Sequence, residues 1–440
     1  MQADFFEIVD FAIRRLKGGE TALFTFAGEE SDFVRFNHAR VRQAGCVTQR
    51  NLGIDLIRGR RHAEARLALS GRPDEDRDRL LLALAELRPR LDSLPEDPHL
   101  MYATEARSTE RVGENHLAPA AEAVNAALAA CAGHDAVGIF AQGPIHRGFA
   151  NSFGQRNWFS THTFNLEWCL YLRDDKAVKS EYSGFDWDPD VLRERMSAAT
   201  HQLGLLDREP KTIAPGKYRA YLAPKALEEI AGILNWSGFG LKDHRAKISS
   251  LIRMTESGAT FHPCVTIREN TREGVAPNFD ERGYVKPDQV VLVEGGRFHD
   301  YLVSPRSAKE YDLPTNGASA QEASTSFDLA AGEIEEADIL ARLDTGLYIN
   351  NLWYLNYSDR PACRVTGMTR FATFWVERGA LVAPLQVMRF DESMYRLLGS
   401  HLLGLTRNRS MILSSETYGG RQVSSARLPG ALVEDFSLTL

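Results

Sequence analysis

Two β-rich runs in the second half of the chain are each interrupted by glycine. Residues 290–303 flank the pair Gly295-Gly296, and residues 374–382 flank Gly379. Glycine readily adopts the positive φ that tight hairpin turns need, and the valine and aromatic residues beside it favour strands. Each run is therefore predicted to form an antiparallel hairpin, which makes the C-terminal half rich in strands.

The first half alternates between strand and helix patterns. Residues 21–26, 33–36 and 48–57 are β-rich, and residues 4–16 are typical of an amphipathic helix. Pro73 and the three acidic residues after it mark a helix start, because proline suits the first turn and acidic side chains complement the helix dipole. This helix is predicted to stop before Pro89. Further helices are predicted at 119–131, from Pro189, from Pro224 to Leu234, and at 392–403.

The chain has 440 residues, which is too long for one ordinary hydrophobic core. We predict an N-terminal α+β subdomain (1–100), a middle α+β subdomain (101–210) and a C-terminal domain (211–440). The predicted fold class is α+β. Its N-terminal region is of α/β type with mixed strands and helices, and its C-terminal domain is strand-rich and β-barrel-like with a few helices.

Composition excludes several classes of partner. The formal net charge is −7, and no cluster of basic and aromatic residues suggests nucleic-acid binding. No stretch approaches the roughly 18 apolar residues of a membrane span. The five cysteines are widely spaced and odd in number, so we expect reduced thiols and a cytoplasmic location.

A series of short motifs in the C-terminal half carries a family resemblance. They are, in chain order, Phe279-Asp-Glu-Arg-Gly283, Thr315-Asn-Gly317, Gly346-Leu-Tyr348, Phe374-Trp-Val-Glu377 and Pro429-Gly-Ala-Leu-Val-Glu434. In order and spacing this part of the chain resembles the TldD/PmbA (TldD/TldE) protease family. Catalytic members carry a zinc-binding His-Glu-x-x-x-His helix and a later cysteine ligand, so the resemblance implies a zinc peptidase system.

The zinc motif itself is missing from this chain. No His-Glu dipeptide occurs anywhere, and the ligand and base positions of the family fall near Gly232, Ile233 and Ser237. The expected cysteine is replaced by the segment around Arg370. Because zinc needs imidazole, thiolate or carboxylate ligands, the chain is most similar to TldE/PmbA-type members that lack the motif. We predict no metal and no catalytic residue in this chain, with zinc only on a TldD-like partner.

Other candidate ligands have simpler interpretations. Glu228 and Glu229 are adjacent on the predicted helix and are interpreted as a solvated face. His262 and Cys264 lie at metal-ligand spacing but lack a visible third partner. Neither pair predicts a metal site.

A peptide groove is the remaining site hypothesis. Asp280 and Glu281 lie in a loop that could line a groove, while Asn350, Trp353 and Arg370 accompany the aromatic strand patterns. Strand edges can pair with an extended peptide, so these five residues are the predicted peptide-groove residues.

Three functions stay open at this stage. The leading hypothesis is a metal-lacking subunit that forms a heterodimer with a TldD-like zinc subunit in a cytoplasmic peptidase acting on unfolded or small peptides. The alternative is a peptide-binding or scaffolding homodimer without proteolytic activity. A third is a hydrolase that has rebuilt its site from residues such as Asp280, Glu281 or His262.

Overall fold

The computed structural model describes residues 1–173 and 176–440. Residues up to 206 form what we call the N-terminal unit, in which helices alternate with long strands. Its elements are α1 (Gln2–Ile13), β1 (Glu20–Asn37), β2 (Arg40–Arg58), β3 (Arg61–Ala68), α2 (Pro73–Ser93), β4 (Thr109–Val112), α3 (Ala120–Ala130), β5 (Asp135–Asn151), β6 (Arg156–Arg173), β7 (Lys176–Gly184) and α4 (Pro189–Leu206).

The strands of the N-terminal unit form one sheet. Its order is β3-β2-β1-β5-β6-β4, and β7 also pairs with β6. Strand β1 runs antiparallel to both β2 and β5, so strands from either side of residue 100 share one sheet. The predicted boundary between residues 100 and 101 therefore does not separate two sheets.

The two faces of this sheet differ in character. One face is apolar and packs under the helices: Phe24 and Phe26 contact α1 and α2, while Phe140 and Trp168 pack with α3 and α4. On the other face, polar residues of β1 and β2 line a cavity against the C-terminal half of the chain. This alternation follows from the two-residue period of strands.

The rest of the chain, here the C-terminal unit (residues 207–440), is dominated by short strands. Its elements are β8 (Gly216–Leu222), α5 (Pro224–Asn235), α6 (Leu241–Arg245), α7 (Ile252–Glu256), β9 (Ile267–Glu269), β10 (Val290–Glu294), β11 (Arg297–Phe298), α8 (Pro305–Tyr311), β12 (Ser326–Leu329), α9 (Ile339–Leu343), β13 (Gly346–Ile349), β14 (Trp353–Asp359), β15 (Arg364–Met368), β16 (Thr373–Glu377), β17 (Ala380–Pro384), β18 (Arg389–Ser393), β19 (Leu402–Leu413) and β20 (Ser425–Leu438).

The α+β class is confirmed, but the sheet of the C-terminal unit is not closed into a barrel. Its main path runs β11-β10-β9-β12-β20-β8-β13-β16-β17, with β14, β15, β18 and β19 joined at its side. Strands β11 and β17 are the two ends of this path and do not pair with each other in the described residues. The barrel-like part of the prediction is therefore wrong. Local hairpin patterns do not determine whether distant edges meet.

Both predicted glycine hairpins are confirmed, as β10 with β11 and β16 with β17. Two helix predictions need correction. Helix α2 continues through Pro89 to Ser93. The predicted helix 392–403 is instead the end of β18, a short π-helical turn (Arg396–Ser400) and the start of β19, because pairing with β15 and β20 outweighs the local apolar spacing.

Within the described ranges, no helix combines the length and apolar character needed to cross a lipid bilayer.

Candidate functional site

Helix α5 is where the family resemblance predicts zinc ligands. Pro224 occupies its first turn, where a missing N–H costs nothing, and the helix ends at Asn235. Its apolar face, including Ala226, Ile230 and Leu234, is buried in the core of the C-terminal unit. This packing fixes which residues of α5 can face a site.

The three positions expected to carry ligands and base face different surroundings. Gly232 is exposed and lines a cavity of about 270 Å³. Ile233 packs against the core, and its carbonyl accepts a hydrogen bond of 2.6 Å from the Tyr357 hydroxyl. Ser237 lies just after the helix and is buried, and its Oγ has no hydrogen-bond partner in the described residues. None of the three supplies a metal ligand that zinc favours.

The residues near the expected cysteine position are also unsuited to zinc. The guanidinium carbon of Arg370 lies 4.5 Å from the centroid of the Trp353 ring, a cation–π geometry. Cys363 is fully buried, and burial raises the pKa of its thiol to about 12. It is therefore a neutral core thiol at physiological pH.

Acidic residues on α5 form a half-buried charge cluster with a strand of the N-terminal unit. Lys225 Nζ lies 2.8 Å from Glu228 Oε2 and 3.4 Å from Glu181 Oε2 on β7. Glu229 Oε2 accepts a 2.6 Å hydrogen bond from the Leu352 amide, and burial raises the pKa of Glu229 to about 7. The interpretation of Glu228 and Glu229 as a solvated face is wrong, because both side chains are partly buried and each has a partner, Lys225 for Glu228 and the Leu352 amide for Glu229.

A much larger cavity, of about 950 Å³, lies between the polar face of the N-terminal sheet and the C-terminal unit. We call it the interdomain cavity. Charged side chains from both units line it: Glu29, His62, Glu64, Arg66, Asp97, Arg147, Asp280, Glu281, Arg282, Lys286, Arg306 and Arg421. Its volume is within the range of small-molecule and cofactor sites.

Asp280 is the most perturbed acid of this cavity. Its Oδ1 accepts hydrogen bonds from the amides of Arg282 (2.9 Å) and Tyr284 (2.8 Å). Its Oδ2 is buried and has no partner in the described parts of the chain. Burial raises the pKa of Asp280 to about 7, so this carboxyl can accept or donate a hydrogen bond near neutral pH.

Asp55, His62 and Glu64 are close enough together to share a cation. Across residues 1–173 and 176–440, they are the one group of three His, Cys, Asp or Glu residues with this geometry. Arg282 contacts the carboxylates of both Asp55 and Glu64. The guanidinium already supplies the positive charge at this point, so the geometry indicates an ion-pair network joining the two units.

Comparison with known proteins places the chain in a family. Residues 215–440 match the model of the PmbA/TldA metallopeptidase C-terminal domain. The chain belongs to the PmbA/TldD family. No curated protein matched the chain by sequence.

Three solved structures share the fold of this PmbA/TldD-family chain over nearly its whole length. TldE from Thermococcus kodakarensis is 13% identical with a TM-score of 0.76, covering 99% of this chain and 100% of that one. A candidate modulator of a DNA gyrase from Thermotoga maritima is 15% identical, with a TM-score of 0.75 and the same coverages. A candidate modulator of DNA gyrase from Bacteroides thetaiotaomicron is 14% identical, with a TM-score of 0.76 and coverages of 99% and 98%.

Within this PmbA/TldD-family fold, the five predicted groove residues do not come together. Asp280 and Glu281 line the interdomain cavity. Asn350, Trp353 and Arg370 are absent from its wall, and the Asn350 amide lies 3.4 Å from the Lys179 carbonyl of β7. The peptide-groove assignment stays a prediction, and its residues are divided between the interdomain cavity and a region outside the cavity wall.

The residues proposed for a rebuilt hydrolase are also separated. His262 does not line the interdomain cavity, and its Nδ1 lies 3.1 Å from Cys264 Sγ instead. Sequence reasoning missed Arg147 and Arg421 in the cavity wall, because each is a single arginine within a strand or loop pattern. The sequence marks each of them only as a single arginine in a segment that contains small and polar residues.

Proposed function

We propose that this chain is the metal-lacking subunit of a cytoplasmic zinc peptidase of the PmbA/TldD type. The observation that carries the proposal is the identity of Gly232, Ile233 and Ser237 at the positions of the zinc motif. They supply no imidazole, thiolate or carboxylate, so the residues present do not fit zinc. The likeness of the fold to a protein named TldE agrees with this assignment.

In this proposal a TldD-like partner holds the zinc and the catalytic base. The present chain contributes the walls of the chamber in which an unfolded or small peptide is held. A subunit without ligands can still raise the rate by positioning the substrate, because correct placement removes much of the entropic cost of reaction. The five free cysteines agree with a reducing, cytoplasmic compartment.

An exposed aromatic surface supports the existence of a partner. Trp353 and Tyr354 on β14 are 40% and 79% exposed, and Trp236 at the end of α5 is 62% exposed. Tryptophan, tyrosine and arginine dominate the strongest contacts in protein interfaces, and Arg370 stacks on Trp353 here. We assign this aromatic surface (Trp236, Trp353, Tyr354) to contact with the zinc subunit.

The second candidate function is a peptide-binding or scaffolding homodimer without proteolytic activity. The interdomain cavity supports the peptide-binding part of this candidate, because the cavity is built within one chain and includes charged groups from both units. Binding in such a cavity needs neither zinc nor a second subunit.

Metal content and peptidase activity of the purified chain test the proposal. Alone, it should contain far less than one zinc per chain and cleave no unfolded peptide. Mixed with a relative that carries His-Glu-x-x-x-His, it should form a complex that cleaves unfolded peptides and loses activity with a chelator. The same relative with its motif histidines replaced by alanine is the matched control, and it should bind without cleavage.

Three results would contradict the proposal. The first is stoichiometric zinc in the chain alone. The second is cleavage by the chain alone. The third is failure to associate with any relative encoded beside it, combined with self-association, which would favour the homodimer.

A further inference from the structure

The arginines of the interdomain cavity are not equivalent. Arg282 contacts Asp55 and Glu64, and Arg306 lies 2.5 Å from Asp97. Arg421 donates to the carbonyls of Gly143 (2.9 Å) and Thr163 (2.7 Å), which ties the loop before β20 to the N-terminal sheet. Each of these three guanidinium groups therefore already binds carboxylates or carbonyl groups of the protein.

Of the other two arginines in the wall, Arg66 is exposed to solvent, whereas Arg147 is half-buried and has no such partner. It lies on β5, in the middle of the N-terminal sheet, between Ala27 of β1 and Phe159 of β6. Its one side-chain hydrogen bond goes from Nη1 to the His146 carbonyl at 2.8 Å, and no carboxylate of the described residues lies within ion-pair distance. A guanidinium has five N–H donors, so most of its capacity is unused.

The surroundings of Arg147 make an unpaired guanidinium unfavourable. Burial lowers the pKa of its guanidinium, while the negative charges of Glu29 and Glu281 oppose that effect from a longer distance. Glu29 already accepts hydrogen bonds from Ser31 Oγ (2.9 Å) and Gln49 Nε2 (2.9 Å). A half-buried guanidinium without a contacting anion is unfavourable, and a bound anion would restore the balance.

The same cavity offers an acceptor. Glu281 is exposed in the cavity wall, and its carboxylate has no ion pair among the described residues. Asp280 also contributes to the wall, but its Oδ2 has almost no surface that a ligand could reach. A ligand that carries one anionic group and nearby N–H donors would therefore pair with Arg147 and Glu281.

We propose that the interdomain cavity binds a short peptide by its C-terminal carboxylate, which Arg147 holds through paired N–H donors. The carboxylate matches the planar fork of the guanidinium, and the peptide's N–H groups suit the carboxylate of Glu281. A free inorganic anion shares only the first of these features. This inference deepens the proposed function and rests on its peptide ligand, but it concerns this chain alone and needs neither zinc nor a partner.

Calorimetric titration of the purified full chain with tetra-alanine tests the site. The comparison ligand is tetra-alanine with an amidated C-terminus, which keeps every other group. The free acid should bind at least about tenfold more tightly than the amide, and Arg147→Gln should remove most of that difference. Arg147→Lys, which keeps the charge without the fork, should give an intermediate affinity.

Arg297→Gln is the control, because Arg297 is exposed and lies outside the cavity wall. It should leave binding unchanged. Inorganic phosphate should compete with the free-acid peptide in the wild type, which would support an anion site. If Arg147→Gln does not fold, the Arg147→Lys series and the comparison of acid with amide still decide the matter.

Equal binding of the acid and the amide would overturn the proposal. So would unchanged peptide binding in folded Arg147→Gln, or the absence of saturable binding of tetra-alanine up to about 10 mM. Saturable phosphate binding without any peptide binding would reject the peptide as ligand. Because the titration uses the chain alone, failure of the proposed zinc partner to bind leaves this readout unaffected.

Discussion

Arg282 of the C-terminal unit binds Asp55 of strand β2, although the two residues are 227 positions apart in the sequence. Asp55 is 7% exposed and also contacts His62 Nδ1 at 3.2 Å. The pair thus joins the two units across the edge of the interdomain cavity, and the Asp55 carboxylate is largely shielded from water.

Arg282→Ala should destabilise the protein by about 2–3 kcal/mol, because it leaves a buried carboxylate without its cation. Asp55 keeps its hydrogen bond with His62, so the loss of unfolding free energy should lie at the lower end of the range for broken buried ion pairs. Urea unfolding of the variant and the wild type measures the difference. Arg61→Ala is the control, because Arg61 is exposed on β3 and should change stability by less than about 0.5 kcal/mol. A loss equally small for Arg282→Ala would mean that the pair does not stabilise the junction.

Glu229 predicts a pH-dependent stability. Its pKa is raised to about 7, chiefly because of burial, from the ordinary value of 4.5. Between pH 4.5 and 7, Glu229 is ionised in the unfolded chain but mostly protonated in the folded protein. The free energy of unfolding therefore falls as the pH rises through this range. Glu229→Gln keeps an oxygen for the Leu352 amide but removes the charge. The variant should match the wild type near pH 4.5 and exceed it by on the order of 2 kcal/mol at pH 8.

Unfolding free energies of both proteins across this pH range measure the effect. Glu86→Gln, at an exposed position of α2, is the matched control. A constant difference between Glu229→Gln and the wild type at all pH values would contradict the prediction.

Gly232 offers a test of the space at a position where the family resemblance predicts a zinc ligand or base. A Cβ added there would meet no atom within 4 Å, and the residue lies in helix α5. Gly232→Ala should therefore stabilise the protein by about 0.5–1 kcal/mol through the helix preference of alanine. Gly238→Ala should instead destabilise it, because the new Cβ would lie 2.5 Å from the Leu234 carbonyl oxygen. Thermal unfolding separates the two outcomes, and destabilisation by Gly232→Ala would show that this space is not available.

Local signals made parts of the fold predictable from the sequence. Helix α5 begins at Pro224 as expected, and the hairpin turn at Gly379 has the positive φ that its glycine suggested. Both depend on residues within one or two turns of the chain. Strand β1 was predicted as two pieces, yet it is continuous from Glu20 to Asn37, because β2 and β5 pair with it on both sides.

The candidate site also combines features that depend on neighbouring residues with features that depend on distant segments of the chain. The lack of a residue that zinc favours at position 232 could be found by counting along one helix. The interdomain cavity could not be found in this way, since Arg147, Asp280 and Arg421 come from distant segments that meet only after folding. The environment of Glu229 also depends on distant chain, because β7 brings Glu181 to Lys225 beside it.

Trp353→Ala tests the surface that we assign to the zinc subunit. Trp353 lies on β14, which pairs only with β15 in the described residues, and its ring is 40% exposed beside Arg370. Removing an exposed ring should change the stability of the isolated chain by less than about 1 kcal/mol, whereas loss of a central interface contact should weaken association at least about tenfold. Light scattering of mixtures with the zinc-bearing relative measures the complex. Leu82→Ala removes a side chain that is 65% exposed on α2 and should leave association unchanged. Equal complex formation by the Trp353 variant and the wild type would exclude this surface as the contact. Truncation of Trp353 would then affect association no more than truncation of Leu82 does.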